Sequence, residues 1–147
     1  MLTLTPDLLQ QIEAHGRESY PYEGCGLLLG QSRPGHNWVV AIRPAANSWP
    51  VATEKRVRFA ITPQEMLQAE LAAMAEDLEI IGIFHSHPDD DPIASPRDLA
   101  WATWPGYSYL ITEVRLSRPG LSRSWQLCDD RSGFTEEPVQ LRENGEW

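Results

Sequence analysis

Residues Ile80-Ile81-Gly82-Ile83-Phe84 form an unbroken apolar run. A strand with one wet face alternates apolar and polar residues; a run without alternation reads as a central strand covered on both faces. Such a strand commits the chain to a layered fold with other elements packed on each side. The flanking sequence supplies them. Thr5-Pro6-Asp7 gives an N-cap and a proline for the first helical position, followed by a Leu8, Leu9, Ile12 stripe that ends near Gly16. Gly26–Gly30 and Trp38–Ile42 read as strands, 43–56 mostly as loop, and Val57–Ile61 alternates like a half-buried strand. Thr62-Pro63-Gln64-Glu65 starts the clearest helix, with Glu65 completing a capping box and Leu67, Leu71, Met74 and Leu78 forming its core face. Ser95-Pro96 opens a shorter helix through about Trp104, and Tyr107–Thr112, Ser124–Cys128 and 138–142 read as strands. The order predicts one α/β (α+β layered) domain over residues 1–147, with no repeat, linker or low-complexity segment.

Charge and cysteine content narrow the function. There are 21 acidic residues against 12 basic ones, a formal net charge of −9, which disfavours nucleic acid and anionic membranes as partners. No apolar segment approaches the roughly 18 residues of a membrane span, and the N-terminus lacks the regions of a signal peptide, so a cytoplasmic protein is expected. Cys25 and Cys128 are too few and too far apart for a thiolate metal site, so any metal must use histidine and carboxylate. His15 and His36 read as surface residues.

The chemistry concentrates after the apolar run, in Phe84-His85-Ser86-His87-Pro88, then DDDPIA, then Ser95-Pro96-Arg97-Asp98. Side chains two apart on a strand share a face, so His85 and His87 can converge while Ser86 points away. Asp98 falls in the first turn of the following helix and can supply a third ligand. Two imidazoles and one carboxylate, with a fourth position open, is a catalytic zinc set. Each piece has a plainer reading as well. Two histidines can end any strand, Ser95-x-x-Asp98 is also a helix capping box, and Asp89–Asp91 is also a solvated loop. Cys25 reads as a small buried residue rather than a nucleophile.

Taken together, His85-x-His87-Pro88, Ser95 and Asp98, with Glu23-Gly24-Cys25-Gly26-Leu27-Leu28-Leu29-Gly30 upstream, resemble the JAMM signature of the catalytic MPN domains, in its short bacterial form. Asn47 and Arg58–Pro63 resemble further features of those members. The resemblance implies a mixed β-sheet flanked by helices, in a cytidine-deaminase-like layout. It implies one Zn²⁺ per chain on His85, His87 and Asp98, with Glu23 as general base and then acid, and Ser95 stabilising the oxyanion. It also implies a metallopeptidase that cuts an amide or isopeptide bond after the C-terminal Gly-Gly of a small ubiquitin-fold carrier protein. An extended tail of that kind could add as a strand at a sheet edge. Two alternatives stay open: a metal-free MPN scaffold, and a small-peptide metallohydrolase without a protein partner. The six tryptophans suggest a homodimer or a protein-binding face, with Trp101 and Trp104 placed to line a substrate groove.

Overall fold

The computed structural model describes residues 1–118 and 120–143. Its elements are β1 (Leu2–Leu4), α1 (Pro6–Ser19), β2 (Cys25–Arg33), β3 (His36–Ala45), α2 (Pro63–Ala75), β4 (Glu79–Pro88), α3 (Pro96–Trp101), β5 (Ser108–Val114), β6 (Ser122–Leu127), β7 (Phe134–Glu137) and β8 (Val139–Leu141), with a 3-10 turn at Ala52–Glu54. The strands form a mixed sheet of eight in the order β7-β6-β5-β4-β2-β3-β1-β8. β4, which carries the apolar run, is paired on both sides: antiparallel to β2 and parallel to β5.

Both faces of β4 are covered, as the run requires. One face, with Leu28, Ile81, Phe84 and Leu110, packs with Leu2, Leu4 and Ile12 of α1 and β1. The other, with Leu27, Leu29, Ile83 and Tyr109, packs under Ala69 and Ala73 of α2 and under Phe59. A side chain at Gly26 could not exist here: its Cβ would stand 2.3 Å from the Phe84 ring. The sheet also curves back on itself. β7 and β8 lie at opposite edges of the order, yet only Pro138 separates them, so the two edges meet there. Leu2 N–H donates to the Pro138 carbonyl at 2.9 Å, and the terminal amine of Met1 pairs with Glu137 at 3.0 Å, tying the seam.

Several sequence expectations are corrected. Val57–Ile61 is not a strand but an irregular segment; Phe59 and Ile61 still enter the core, while Val57 is exposed. The alternation there reflects burial of alternate side chains by a loop, without ladder pairing. Helix α2 begins where its signals put it, and Thr62 caps the Glu65 N–H at 3.1 Å. Its core face has the right period and the wrong phase, however. Leu67, Leu71 and Met74 are 56%, 58% and 69% exposed, whereas Ala69 and Ala73 are buried. The alanines let the helix lie close on the sheet, where larger side chains would hold it off. Glu65 does not complete the capping box; one of its carboxylate oxygens is enclosed with no hydrogen-bond partner. Helix α1 runs past Gly16 to Ser19, α3 stops at Trp101, and β1 and β7 carried no clear sequence signal. His15 and His36 are half-buried: His36 meets Thr3 Oγ1 at 2.6 Å and stacks on Trp38, and His15 packs edge-on against Phe84.

Candidate metal centre

The end of β4 and the start of α3 bring three donors together. His85 and His87 project from the same face of β4 with their Nε2 atoms 3.2 Å apart. Asp98, third residue of α3, places Oδ1 3.1 Å from His85 Nε2 and Oδ2 3.1 Å from His87 Nε2. All three residues are buried. A tetrahedral metal with bonds of about 2.0 Å has donor–donor edges of about 3.3 Å; the two imidazole nitrogens stand at such an edge, and each Asp98 oxygen does so from one of them. The donor set suits a zinc-sized ion, since two neutral imidazoles and one carboxylate leave a net +1 on a divalent ion. Sequence-predicted ligands His85, His87 and Asp98 are thus brought together by the fold.

The surrounding groups orient these ligands. His87 Nδ1 lies 2.7 Å from the Asp91 carbonyl, to which it donates, leaving the Nε2 lone pair for a ligand. The His85 ring stacks on Phe59 at 4.6 Å and 26°, and Phe59 in turn touches Trp101 at 4.6 Å. Ser95 and Asp98 form a full capping box: Asp98 N–H donates to Ser95 Oγ at 3.1 Å, and Ser95 N–H donates to Asp98 Oδ2 at 2.8 Å. The capping and site readings of this pair therefore coexist. One bond of the box starts the helix and the other, from Ser95 N–H, aims the carboxylate, while Ser95 keeps its own hydroxyl proton free to donate.

Glu23 sits just before β2, buried, and shares a small cavity with His87 and Ser95. Loop residues hold its backbone: Glu23 N–H donates to the Lys55 carbonyl at 2.7 Å, and Asn47 Nδ2 donates to the carbonyls of Glu23 and Arg58 at 3.0 Å each. Its Oε1 is enclosed without a hydrogen-bond partner. Burial pushes the Glu23 carboxyl up to about 7, and Asp98 adds to this while the two imidazoles oppose it. Asp98 shifts the other way. Burial disfavours its charge, but the imidazoles of His85 and His87, by charge and hydrogen bond, hold it far below the usual carboxylate range. His87 is raised against its burial by the Asp98 carboxylate.

Ser86 lies behind the site. Its Oγ accepts the Gly24 N–H at 2.8 Å, and its own N–H donates to the Gly24 carbonyl at 3.0 Å. The residue between the two histidines thereby clamps the residue after Glu23, fixing the two parts of the site against each other. The Asp89–Asp91 run is not aimed at the centre. Asp89 accepts from the Tyr20 hydroxyl, and Asp91 pairs with Arg115 at 3.0 Å. The Cys25 thiol is buried beside Ala45 and Ala46 carbonyls and is pushed up to about 12 by burial, which suits packing and not nucleophilic work.

A groove of about 320 Å³ runs beside Asp98, between the 49–59 loop and α3, lined by Trp49, Phe59 and Trp101 among others. Trp101 thus occupies the groove, whereas Trp104 is not on its wall and stacks on Tyr107. β4 is paired on both sides and offers no open edge, whereas the groove borders Asp98 directly. The sequence alone does not single out Trp49, and it marks Phe59 only through the 57–61 alternation and the Arg58–Pro63 resemblance.

The chain matches the family described as prokaryotic homologs of the JAB domain over residues 5–128. It is 38% identical to a desampylase of Haloferax volcanii over 114 residues, covering 75% of this chain and 78% of that one. It is 28% identical to the CysO-cysteine peptidase of Mycobacterium tuberculosis, covering 97% and 92%. A solved structure from Desulfitobacterium hafniense superposes with a TM-score of 0.84 at 31% identity, covering 99% of this chain and 96% of that one.

Proposed function

The chain belongs to the family of prokaryotic JAB-domain homologues, and on that premise we propose that residues 1–147 form one zinc metallopeptidase domain of JAMM type. It hydrolyses an amide or isopeptide bond after the C-terminal Gly-Gly of a small ubiquitin-like or sulfur-carrier protein. The names of its relatives, a desampylase and a CysO-cysteine peptidase, support that substrate class. The observation that carries the reading is the buried trio of His85, His87 and Asp98, whose donor atoms converge within metal-binding reach, beside a glutamate pushed up to about 7.

His85, His87 and Asp98 would hold one Zn²⁺. The ion supplies Lewis acidity, polarising the scissile carbonyl and bringing the pKa of water toward ~7. Glu23, poised by burial and free of hydrogen-bonded partners at Oε1, takes the proton of the attacking water and returns it to the departing amine. Ser95 donates its hydroxyl proton to the oxygen that gains charge as the carbonyl becomes tetrahedral. Phe59 and Trp101 keep the His85 side of the site dry. The extended tail enters through the groove beside Asp98.

The presence of all three donors and of Glu23 favours an enzyme over a metal-free scaffold. The thiols of Cys25 and Cys128 are free, which suits a reducing cytoplasmic setting. No helix among the described residues is long and apolar enough to cross a membrane. The test is zinc stoichiometry together with cleavage of a carrier extended beyond its Gly-Gly. One zinc per chain and an inactive Glu23→Gln variant are expected. Full activity of that variant refutes the assigned mechanism.

A further inference from the structure

Of the three metal donors, His87 depends on an irregular segment for its orientation. For Nε2 to keep its lone pair for a metal, Nδ1 must carry the proton and have a fixed acceptor. That acceptor is the Asp91 carbonyl at 2.7 Å. Asp91 lies between β4 and α3, outside any helix or strand, and its side chain is 65% exposed. A carbonyl on such a turn orients an imidazole only as well as the turn itself is held. Ties from other elements hold it. Asp89 N–H donates to the Val114 carbonyl at 2.8 Å, and its carboxylate accepts from the Tyr20 hydroxyl. Trp125 Nε1 donates to the Pro92 carbonyl at 3.1 Å. Asp91 itself is reached by Arg115, whose Nη2 donates to its Oδ1 at 3.0 Å.

Arg115 is braced from the other side. Its Nε donates to Glu113 Oε2 at 3.1 Å, and the Glu113 side chain is only 1% exposed. Glu113 also accepts from Arg118 Nη1 at 2.9 Å and from the Leu121 N–H at 3.0 Å. In the β4–β5 ladder Glu113 stands in register with His87, so the two side chains leave the same face of the sheet. A buried carboxylate without partners there would be costly. The two guanidiniums and the amide occupy it, and His87 keeps the Asp91 carbonyl as its partner. An exposed ion pair between two freely moving side chains contributes little. Arg115 differs, because the buried carboxylate already fixes its guanidinium and little further freedom is lost on bonding Asp91.

We infer that Arg115 is a positioning residue of the metal centre: braced by Glu113, it holds Asp91 so that the Asp91 carbonyl stays on His87 Nδ1 and Nε2 stays aimed at the ion. The inference rests on the metallopeptidase reading above. Arg115 lines neither the groove beside Asp98 nor the cavity beside Glu23, so it acts through Asp91 and not on substrate.

The test compares the full chain with its Asp91→Ala, Asp91→Asn and Arg115→Gln variants. Three quantities are read: zinc affinity by competition with a chelator, the visible spectrum of the cobalt(II)-loaded protein, and kcat on a carrier extended beyond its Gly-Gly. Asp91→Ala keeps the carbonyl and removes only the group that Arg115 holds. It should lower zinc affinity and kcat by about tenfold, the low end for loss of a partner that orients a metal ligand. Its cobalt bands should shift, while the melting point of the metal-free protein stays within about 3 °C, since the lost ion pair is exposed. Arg115→Gln should lower zinc affinity by a similar factor, and the double variant by no more than either alone, because both cut one path. Asp91→Asn keeps an oxygen for Arg115 and should lose less than Asp91→Ala. Unchanged zinc affinity and an unchanged cobalt spectrum in Asp91→Ala overturn the inference and leave the peptidase reading standing. Additive losses in the double variant also overturn it. A wild-type chain that binds no zinc and cleaves nothing refutes the peptidase reading and this inference with it.

Discussion

Replacing Glu23 with glutamine should stabilise the metal-free protein at pH 8 while removing its activity. The carboxyl is raised from 4.5 to about 7, chiefly by burial. A carboxyl whose folded value lies above its unfolded one favours folding only below the unfolded value. That contribution is lost as pH rises through the folded value. Ionised Glu23 therefore costs the folded state about 3 kcal/mol at pH 8, from 1.36 kcal/mol for each unit of the shift. The residue is only 4% exposed, so water screens little of this cost. At pH 4.5 Glu23 is almost fully protonated in the folded wild type, and the cost falls below about 0.5 kcal/mol. Glutamine has the size of the acid and no charge, so it should remove the pH 8 cost and leave the pH 4.5 stability nearly alone. Urea unfolding of chelator-stripped wild type and variant at the two pH values reads this directly, and the melting point at pH 8 should rise by about 10 °C. A gain of equal size at both pH values would show that packing, not charge, is responsible. A loss at pH 8 would refute the argument that the site holds Glu23 at an energetic cost for the sake of its chemistry.

Further outcomes can be checked by similar means. Leu71→Glu should change stability by no more than about 0.5 kcal/mol in denaturant titration, because the side chain is exposed, whereas Ala69→Leu should cost about 1–3 kcal/mol by overpacking α2 against the sheet. Ser86→Ala strands the buried Gly24 N–H and should cost about 1–3 kcal/mol, with a fall in kcat as Glu23 loses its register with the histidines. Asn47→Ala removes its hydrogen bonds to the Glu23 and Arg58 carbonyls, leaving Glu23 N–H to Lys55 as the remaining loop tie, and should lower kcat and stability together. Chelation should abolish cleavage and lower the melting point, and added zinc should restore both, since an ion bound only by the folded state stabilises it.

Much of the fold and site could be read before the structure. The apolar run at 80–84 predicted a doubly covered central strand, because only full burial tolerates consecutive apolar side chains. The spacing of His85 and His87 predicted a shared face, because strand side chains alternate. Thr5, Thr62 and Ser95 located helix starts, because unsatisfied N–H groups at a helix terminus attract hydroxyl acceptors. These are local rules, acting over a few residues. The resemblance to JAMM domains picked Glu23 from 21 acidic residues, which local rules alone do not do.

Tertiary packing decided the rest. The phase of α2 depends on how close the helix must lie to the sheet, so its two alanines are inside and its leucines outside. Val57–Ile61 has strand alternation, but whether it pairs depends on a free neighbouring edge, and here it crosses over His85 as a loop. The meeting of β7 and β8 at Pro138 is set by curvature accumulated over eight strands. The elevated Glu23 carboxyl and the Ser86 clamp on Gly24 are likewise properties of burial and of contacts between distant segments. Hydrophobic period and capping chemistry are written in neighbouring residues. Phase, pairing and electrostatic environment are set by distances between residues far apart in the chain, which only the folded arrangement specifies.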